Sequence, residues 1–309
     1  MSVDLFDISE AWAGNAVRPD TGRPTPDLIV AGLSVRDRAM RVRNLTTQAH
    51  DIYDEAVAIH AEGHEIVGSV VLYSGGNDST TLTHLFRKDA THAAHANTGI
   101  GVEQTREFVR ETCAGWGLPL IEKHPPMSYR DLVIERGFPG PAMHFKMYTR
   151  LKERCLDQVR ADLVANGRKE RVVFLAGRRR SESVRRSAIP LHERRRSVIW
   201  VSPIALWTSL DLNTYRTLHD VPRNPVSDRI HMSGECLCGA FAHPGELDEL
   251  GDWYPEVKAE IKALEADVKA AGHAEPFCTW GHGQGGAASK AGPLCSSCAL
   301  WEDDEQVAA

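Results

Sequence analysis

The sequence predicts an α/β fold, a doubly wound and mostly parallel sheet with a cysteine-rich C-terminal appendage. Short apolar runs alternate with segments of helical periodicity between residues 45 and 226. A glycine-containing turn follows the first apolar run, and five of the seven cysteines lie after residue 226. We therefore expect an N-terminal arm at residues 1–44, a sheet domain at 45–226 and a cysteine-rich region at 227–309.

The composition is that of a soluble globular protein. The chain has 309 residues, of which 42% are hydrophobic and 25% are charged. A formal net charge of -6 argues against a surface built entirely for nucleic acid. The sequence has neither a secretory signal pattern nor an apolar run of membrane-spanning length. We expect a cytoplasmic protein without a membrane association, with cysteines that are thiols or metal ligands.

The expected elements alternate along the chain after a proline-containing arm. Strands are predicted at 66–73, 90–96, 118–122, 171–177 and 198–204, and helices at 45–61, 79–87, 103–116, 129–136, 145–164, 208–219 and 255–271. This alternation favours a parallel sheet with helices on both faces. In such sheets, ligands bind beyond the carboxyl ends of the strands.

One turn at such an end has the composition of a phosphate-binding loop. It consists of Ser74, Gly75, Gly76, Asn77, Asp78, Ser79 and Thr80, between a strand and a helix. The glycines lack a Cβ, so the backbone can approach a ligand closely. Amides at the start of a helix have no partner within the helix, and the helix dipole favours an anion there. The alternative is an ordinary glycine-rich turn in which Asp78 caps the helix.

A second candidate region is rich in arginine. Five arginines follow the strand at 171–177 within nine residues: Arg178, Arg179, Arg180, Arg185 and Arg186. A guanidinium group binds phosphate or sulfate through a planar fork of donors. Because this strand and the loop strand end at the same edge of the sheet, we expect both regions to face one pocket. A solvated basic turn and non-specific nucleic-acid binding are the alternatives.

Four segments, in this order along the chain, resemble the phosphoadenosine phosphosulfate (PAPS) reductase family of the PP-loop ATP pyrophosphatase superfamily. They are residues 74–79, 97–99, 177–183 and 203–208. The resemblance implies an adenine nucleotide alpha hydrolase-like fold, so that the domain at 45–226 is a PP-loop nucleotide-binding domain. It also implies that ATP or PAPS binds over the sheet edge, with Mg²⁺ as a cofactor.

The same resemblance implies roles for individual residues. Asp78 and Ser79 would position the pyrophosphate through magnesium, while Arg178, Arg179, Arg185 and Arg186 would neutralise developing charge. The implied nucleotide-binding residues are Ser74, Gly75, Gly76, Asn77, Asp78, Ser79, Thr80, Asn97, Thr98, Gly99, Gly177, Arg178, Arg185 and Arg186. This sequence departs from the family at Asn77, where the loop usually has lysine, and it lacks the Glu-Cys-Gly motif of the reductases. We therefore do not expect reductase chemistry by the usual route.

The C-terminal cysteines are candidate metal ligands, because thiolates cluster around soft metals. The candidates are Cys236, Cys238, Cys278, Cys295 and Cys298, with either Cys236 or Cys238 completing a four-cysteine site. A [4Fe-4S] cluster is the first choice, since the resembled family includes iron–sulfur proteins, and zinc is the alternative. Free thiols in a small core are the third interpretation. Cys113 and Cys155 lie on predicted helices and are expected in the core.

Two functions follow from these observations. The first is a PP-loop enzyme of sulfur transfer or sulfonucleotide chemistry that binds ATP or PAPS. The second is a catalytically degenerate module that binds a nucleotide or nucleic acid without turnover. The sulfur donor, a nucleic-acid acceptor and homo-oligomerisation are left open as partners.

Overall fold

Six strands form a single sheet in the structure, a computed structural model that describes residues 26–182 and 186–282. The strands are β1 (Glu65–Leu72), β2 (His92–Ala96), β3 (Leu120–Lys123), β4 (Glu170–Leu175), β5 (His192–Arg195) and β6 (Val198–Val201). Their order is β3-β2-β1-β4-β6-β5. Every neighbouring pair is parallel except β5 and β6. The predicted α/β fold with a mostly parallel sheet is thus confirmed.

The described helices surround this sheet. They are α1 (Pro26–Ala31), α2 (Val35–His60), α3 (Asn77–Phe86), α4 (Glu103–Trp116), α5 (Tyr129–Arg136), α6 (His144–Tyr148), α7 (Arg154–Leu163), α8 (Ser209–Leu218), α9 (Pro225–Ile230), α10 (Glu246–Trp253) and α11 (Pro255–Ala270). A π-helical turn, Thr149–Glu153, joins α6 to α7. Short 3₁₀ turns lie at Pro141–Met143 and Arg180–Glu182.

Side chains that alternate along the central strands divide between two cores. Val71 and Val173 pack with α2, α3 and α8 on one face of the sheet. Val70 and Val172 pack with α7 on the other face. Successive side chains of a strand point to opposite faces, so buried parallel strands are apolar on both sides. This explains why the sequences of these strands are continuous apolar runs.

The C-terminal part of the described chain has a hydrophobic core of its own. That core joins Ile100, Tyr129 and Leu151 to residues from α9, α10 and α11, including Leu250 and Ile261. It therefore combines the chain around α5 and α6 with the chain after residue 225. The three-part division of the chain stays a prediction.

The structure differs from the sequence prediction in four places. The first helices begin at Pro26 and Val35, within the segment predicted to be an extended arm. Residues 1–25 lie outside the described residues. The single helix predicted at 145–164 is interrupted by the π turn. Strand β5 was missed because its sequence, His-Glu-Arg-Arg, has no apolar pattern, and helices α9 and α10 were also missed.

The topology places a switch point at the carboxyl ends of β1 and β4. Strand β2, which follows β1 in the chain, lies next to β1 on one side, and β4 lies next to β1 on the other side. Connections leave in opposite directions at this point, which is where open α/β sheets bind ligands. Among the described residues, none of the helices combines the length and apolarity that a membrane span requires.

Candidate functional site at the carboxyl ends of β1 and β4

The loop after β1 turns sharply into α3. Gly75 has a φ of 77°, in the left-handed region that favours glycine. A Cβ there would lie 2.9 Å from Thr105 Cγ2, so glycine is also required for packing. Gly76 is the N-cap of α3 and has no side chain with which to cap it. The start of this ten-residue helix is therefore open to an anion.

Hydroxyl groups fix the shape of the loop from within. The Ser74 amide donates to Ser79 Oγ at 3.3 Å, and the two serine hydroxyls lie 3.1 Å apart. Ser79 Oγ and Thr80 Oγ1 donate to the Gly76 carbonyl at 3.0 and 2.8 Å. Outside the loop, Asn224 Nδ2 donates to the Gly75 carbonyl at 2.9 Å. Asn224 was missed by sequence reasoning, because an asparagine before a proline is typical of an ordinary helix start.

The arginine-rich segment meets this loop, as the sequence predicted. A Cβ on Gly177 would lie 3.3 Å from the backbone of Asp78 and Ser79, so the two segments are in backbone contact. Arg179 Nε donates to Asp78 Oδ2 at 2.8 Å, forming an ion pair between the arginine-rich segment and the loop. Burial raises the pKa of Asp78, and Arg179 partly offsets that increase.

The other described arginines of this segment have different partners. Arg178 Nη2 donates to Ser202 Oγ at 3.0 Å, and its guanidinium lies over the Trp200 ring. Its Nε has no hydrogen-bond partner in the part of the chain that the structure describes. Arg180 donates to the Ile189 carbonyl, while Arg186 pairs with Glu182. Arg185 lies outside the described residues. Arg178 is thus the member of this group with a buried nitrogen available to a ligand.

The segment after β2 connects the loop edge to the cysteine region. Asn97 Nδ2 donates to Glu122 Oε1 at 2.7 Å, and the Gly99 amide donates to Asn97 Oδ1 at 3.0 Å. The Thr98 amide donates to Glu235 Oε1 at 2.8 Å, and Thr98 Oγ1 donates to the Glu235 carbonyl at 2.6 Å. Asn97 and Thr98 are buried, and their polar groups form these hydrogen bonds within the protein.

Glu235 is the buried centre of this connection. Its Oε2 lies 3.0 Å from His95 Nε2 and 3.7 Å from Arg106 Nε. Glu235 and His95 are each 1% exposed. Sequence reasoning missed both residues, because no local pattern joins a strand histidine to a glutamate 140 positions later. The cysteine that follows Glu235 is therefore fixed relative to the end of β2.

Arg216 of α8 also reaches the loop. Its Nη1 donates to Asn77 Oδ1 at 2.7 Å, and its side chain is buried. The neighbouring Tyr215 bonds His84 of α3 through a 2.9 Å contact between Tyr215 Oη and His84 Nδ1. Burial lowers the pKa of His84 to about 4. The Arg216 contact could not be predicted from the sequence, since a basic residue on an amphipathic helix is usually solvated.

Two of the candidate cysteines line a separate pocket of about 330 Å³, here called the Cys236 pocket. Its walls come from three segments, and they are His144, Met147, Tyr148, Lys152, Met232, Ser233, Gly234, Cys236, Leu237, Cys238, Gly239, Ala240, Phe241, Ala242, His243, Glu246 and Trp280. The pocket adjoins the phosphate loop through Ser233, whose Cβ lies 3.2 Å from the position of a Cβ on Gly76.

Cys236 and Cys238 line the same pocket and influence each other's titration. A hydrogen bond from Cys238 lowers the pKa of Cys236 to about 6, and the same bond with burial raises that of Cys238. The buried Cys278 thiol instead interacts with Glu275, which raises its pKa. Cys113 and Cys155 are buried in the core as expected.

The described residues supply only part of the predicted metal site. Within 26–182 and 186–282, no group of three or more histidine, cysteine, aspartate or glutamate side chains could hold a metal ion. Cys295 and Cys298 lie outside these ranges, so the four-cysteine set stays a prediction. Asp78, the predicted magnesium contact, is engaged by Arg179.

Comparisons with known proteins agree with the resemblance seen in the sequence. A family model described as "Phosphoadenosine phosphosulfate reductase domain" matches residues 68–253. Adenosine 5'-phosphosulfate reductase of Mesorhizobium japonicum is 26% identical over 200 residues, which are 64% of this chain and 75% of that protein. Sulfate adenylyltransferase subunit 2 of Burkholderia lata is 28% identical over 197 residues, 56% of this chain and 66% of that protein.

Among solved structures, the phosphate complex of phosphoadenylyl-sulfate reductase from Candida auris is similar to this chain. The TM-score is 0.43 at 17% identity, with coverage of 61% of this chain and 90% of that one.

Proposed function

This chain belongs to the phosphoadenosine phosphosulfate reductase domain family, whose matched relatives are enzymes of sulfur metabolism, and we propose that it binds an adenine nucleotide across the carboxyl ends of β1 and β4. The nucleotide is ATP or a sulfonucleotide such as PAPS, and the reaction belongs to sulfur transfer or sulfonucleotide chemistry. The single observation that carries this proposal is the backbone contact of Gly177 with Asp78 and Ser79, which brings the arginine segment to the phosphate loop.

The phosphates would bind at the open start of α3. The amides of Asn77, Asp78 and Ser79 would donate to phosphate oxygens, and the hydroxyls of Ser74 and Ser79 would exchange their mutual contact for the ligand. The partly unpaired Arg178 would neutralise charge at the anionic end of the nucleotide. Preorganised donors of this kind stabilise charge that develops during reaction.

Magnesium would enter with the nucleotide. Mg²⁺ is usually held by one or two carboxylates together with substrate phosphates, and it retains several waters. Asp78 is the carboxylate at the loop, and Arg179 binds its Oδ2, so the ion would bind Oδ1 or displace Arg179. A displaced Arg179 side chain would meet a phosphate oxygen.

A second function, nucleotide binding without turnover, is favoured by the same ion pair. Arg179 donates a hydrogen bond to the Asp78 carboxylate, and the side chain of Asn77 is uncharged. If the ion pair persists with the nucleotide bound, Arg179 compensates the charge of Asp78, which would then hold a magnesium ion less strongly. The site would then be a sensor rather than a catalyst.

Calorimetric titration with ATP and with PAPS, each with and without Mg²⁺, tests the binding proposal. We expect at least one nucleotide to bind; absence of binding for both would remove the proposal.

A pyrophosphate-release assay then separates the two functions. Release that is lost in Asp78→Asn and retained in the control Asp228→Asn, whose carboxylate pairs with Arg223 on the exposed surface, supports catalysis. Binding with no release supports the sensor.

We further propose that the C-terminal cysteines bind a [4Fe-4S] cluster, with zinc as the alternative. The adjacent thiols of Cys236 and Cys238 support a thiolate ligand at this point of the chain. Cys278, Cys295 and Cys298 would complete the set. The absorption spectrum and metal content of anaerobically purified protein test this: about four irons per chain supports the cluster. One zinc supports a structural site, and metal-free protein that remains folded contradicts both.

A partner is also proposed. One relative is described as a subunit of sulfate adenylyltransferase, so a second subunit, a sulfur donor or a nucleic-acid acceptor would complete the reaction. Analytical ultracentrifugation of the purified chain distinguishes a monomer from a homo-oligomer.

A further inference from the structure

Arg216 is placed where α8 crosses the start of the phosphate-loop helix. Its side chain is 5% exposed, and its Nη1 donates to Oδ1 of Asn77, the first residue of α3. The next residue along α8 in the N-terminal direction, Tyr215, is bonded to His84 of α3. The two contacts fix α8 against α3, so the guanidinium group is held rigidly beside the loop.

One edge of this guanidinium group is unused. Nε and Nη2 of Arg216 are buried and have no hydrogen-bond partner among the described residues. In an arginine side chain, Nε–H and Nη2–H point in the same direction and form a two-donor fork that fits two oxygens of one phosphate or carboxylate. The nitrogen that is satisfied, Nη1, is on the other end of the group. The unpaired atoms are thus the two that make a bidentate site.

Among residues 26–182 and 186–282, no carboxylate fills that fork. The acidic groups nearest in electrostatic effect are Asp228 and Asp78. Asp228 is paired with Arg223 at 2.7 Å, and Asp78 is paired with Arg179 at 2.8 Å. Burial and the charge of Arg223 lower the pKa of Arg216, which indicates a cation with incomplete compensation. A buried, unpaired cation is unfavourable and is expected where an anionic ligand completes the site.

We propose that Arg216 is a phosphate-binding residue, with its Nε–Nη2 edge holding the phosphate chain of the nucleotide at the start of α3. Two independent features point to the same ligand: the open helix start after Gly76 and the unpaired buried fork. Asn77 acts as the positioning residue that orients the guanidinium group. The cation of this loop therefore comes from α8, far along the sequence. This inference rests on the proposed nucleotide-binding function.

The test compares Arg216→Gln and Arg216→Lys with the control Arg223→Gln. Arg223 is a matched control because it is an electrostatic neighbour of Arg216, but is exposed and already paired. Dissociation constants are measured by calorimetry for ATP, PAPS and inorganic pyrophosphate. We expect Arg216→Gln to weaken binding at least tenfold and Arg216→Lys to weaken it by less, since lysine keeps the charge without the fork. Arg223→Gln should stay within twofold of wild type.

The thermal midpoint of the ligand-free variants separates ligand binding from a structural role. Because Arg216→Gln removes an unpaired buried charge, its midpoint should equal or exceed that of wild type. A lower midpoint with unchanged affinity would mean that Arg216 is structural and would overturn the inference. If the glutamine variant does not fold, unchanged affinity in Arg216→Lys would overturn it equally.

The outcomes also separate this inference from the proposed function. If wild type binds a nucleotide and the Arg216 variants bind it with equal affinity, the inference about Arg216 fails while the proposed function stands. If wild type binds neither nucleotide, the proposed function fails, and pyrophosphate still tests the fork. If wild type then binds pyrophosphate and Arg216→Gln does not, the inference that the fork is a phosphate site stands. If wild type does not bind pyrophosphate, that inference fails as well.

Discussion

The phosphate-loop edge and the Cys236 pocket are neighbours that are built in different ways. The loop edge is made by consecutive residues after one strand, with the ends of β2 and β4 beside it. The Cys236 pocket is made by three separate segments on a hydrophobic core that does not include the central strands. A site formed by a local motif is visible in a sequence, whereas a site formed by distant segments depends on packing.

A buried connection joins the two regions, in addition to the packing of Ser233 against Gly76. Gly101 and Thr98 contact the backbone and side chain of Glu235, next to the cysteine pair. Variants of this connection should disturb the pocket more than the loop edge, while variants at α3 and α8 should do the reverse.

Gly101→Ala should be the most disruptive change. A Cβ at this position would lie 2.5 Å from the Glu235 carbonyl oxygen and 2.7 Å from the Gly234 carbonyl oxygen. Because both atoms are backbone, the segments must separate, and we expect a loss of about 3 kcal/mol in the free energy of unfolding. Urea denaturation measures it. Gly115→Ala in α4 is the control, because a Cβ there meets nothing within 4 Å, and it should stabilise by about 0.5 kcal/mol.

Equal stabilities of Gly101→Ala and Gly115→Ala would show that the connection is not tight. If Gly101→Ala instead abolished nucleotide binding while the fold stayed intact, the two regions would be a single site, and the comparison would be wrong.

Glu235→Gln should have the second-largest effect. The glutamine can still accept from the Thr98 amide, but it removes the negative charge near His95 and Arg106. We expect a loss of about 2 kcal/mol in unfolding free energy, because a buried charge network loses one partner. The exposed Glu256, which accepts from Gln104, provides the control Glu256→Gln with a loss below about 0.5 kcal/mol. A loss as small as that of the control would contradict the role given to Glu235.

The stability of the loop edge should fall between pH 6.5 and 4. The pKa of His84 is lowered to about 4 in the fold, below its ordinary value of 6.5. The unfolded chain therefore binds a proton first as the pH falls, so stability is complete above pH 6.5 and is lost progressively towards pH 4. We expect His84 to account for about 1–2 kcal/mol of this loss, allowing for screening by solvent.

Urea unfolding of wild type and His84→Gln at pH 7, 6 and 5 measures this contribution. The variant should show a flatter pH dependence in this window. Parallel curves for the two proteins would mean that the His84–Tyr215 contact between α3 and α8 does not depend on a neutral histidine.

A smaller acid effect is expected at the end of β3. Two hydrogen bonds from Arg110 lower the pKa of Glu122 to about 2, and its Oε1 also accepts from Asn97. Because the folded pKa lies below the ordinary value of 4.5, this stability is present above pH 4.5 and is lost as the pH falls towards 2. Glu122→Gln should cost about 1 kcal/mol at pH 7. Denaturation curves that coincide at pH 7 and separate only near pH 3 would contradict this sign.

Much of the fold could be predicted because its signals are local. The predicted bounds of helices α4 and α5 match the structure to the residue, and the strand–glycine–helix pattern locates the start of α3 closely. The antiparallel β5 could not be predicted, since an edge strand made of polar residues has no alternation to detect. The helices before residue 45 were missed because their prolines and glycines favoured an extended arm.

The site could be predicted in position but not in its pairings. The sequence placed an arginine segment beside the loop, and Gly177 does contact Ser79. It could not show that Arg179 is bound by Asp78, or that Arg216 has a free edge. Such pairings join residues about 100 or more positions apart, and side-chain geometry decides them. The roles of these residues in ligand binding stay predictions.

The central claim is that the backbone at residues 75–80 binds the phosphates of an adenine nucleotide. Hydrogen–deuterium exchange of the amides in this segment, with and without saturating ATP or PAPS, tests it most directly. We predict that exchange at 75–80 slows at least tenfold with the nucleotide, while the amides of 236–243 change less. A nucleotide that binds by calorimetry but leaves exchange at 75–80 unchanged would contradict the claim.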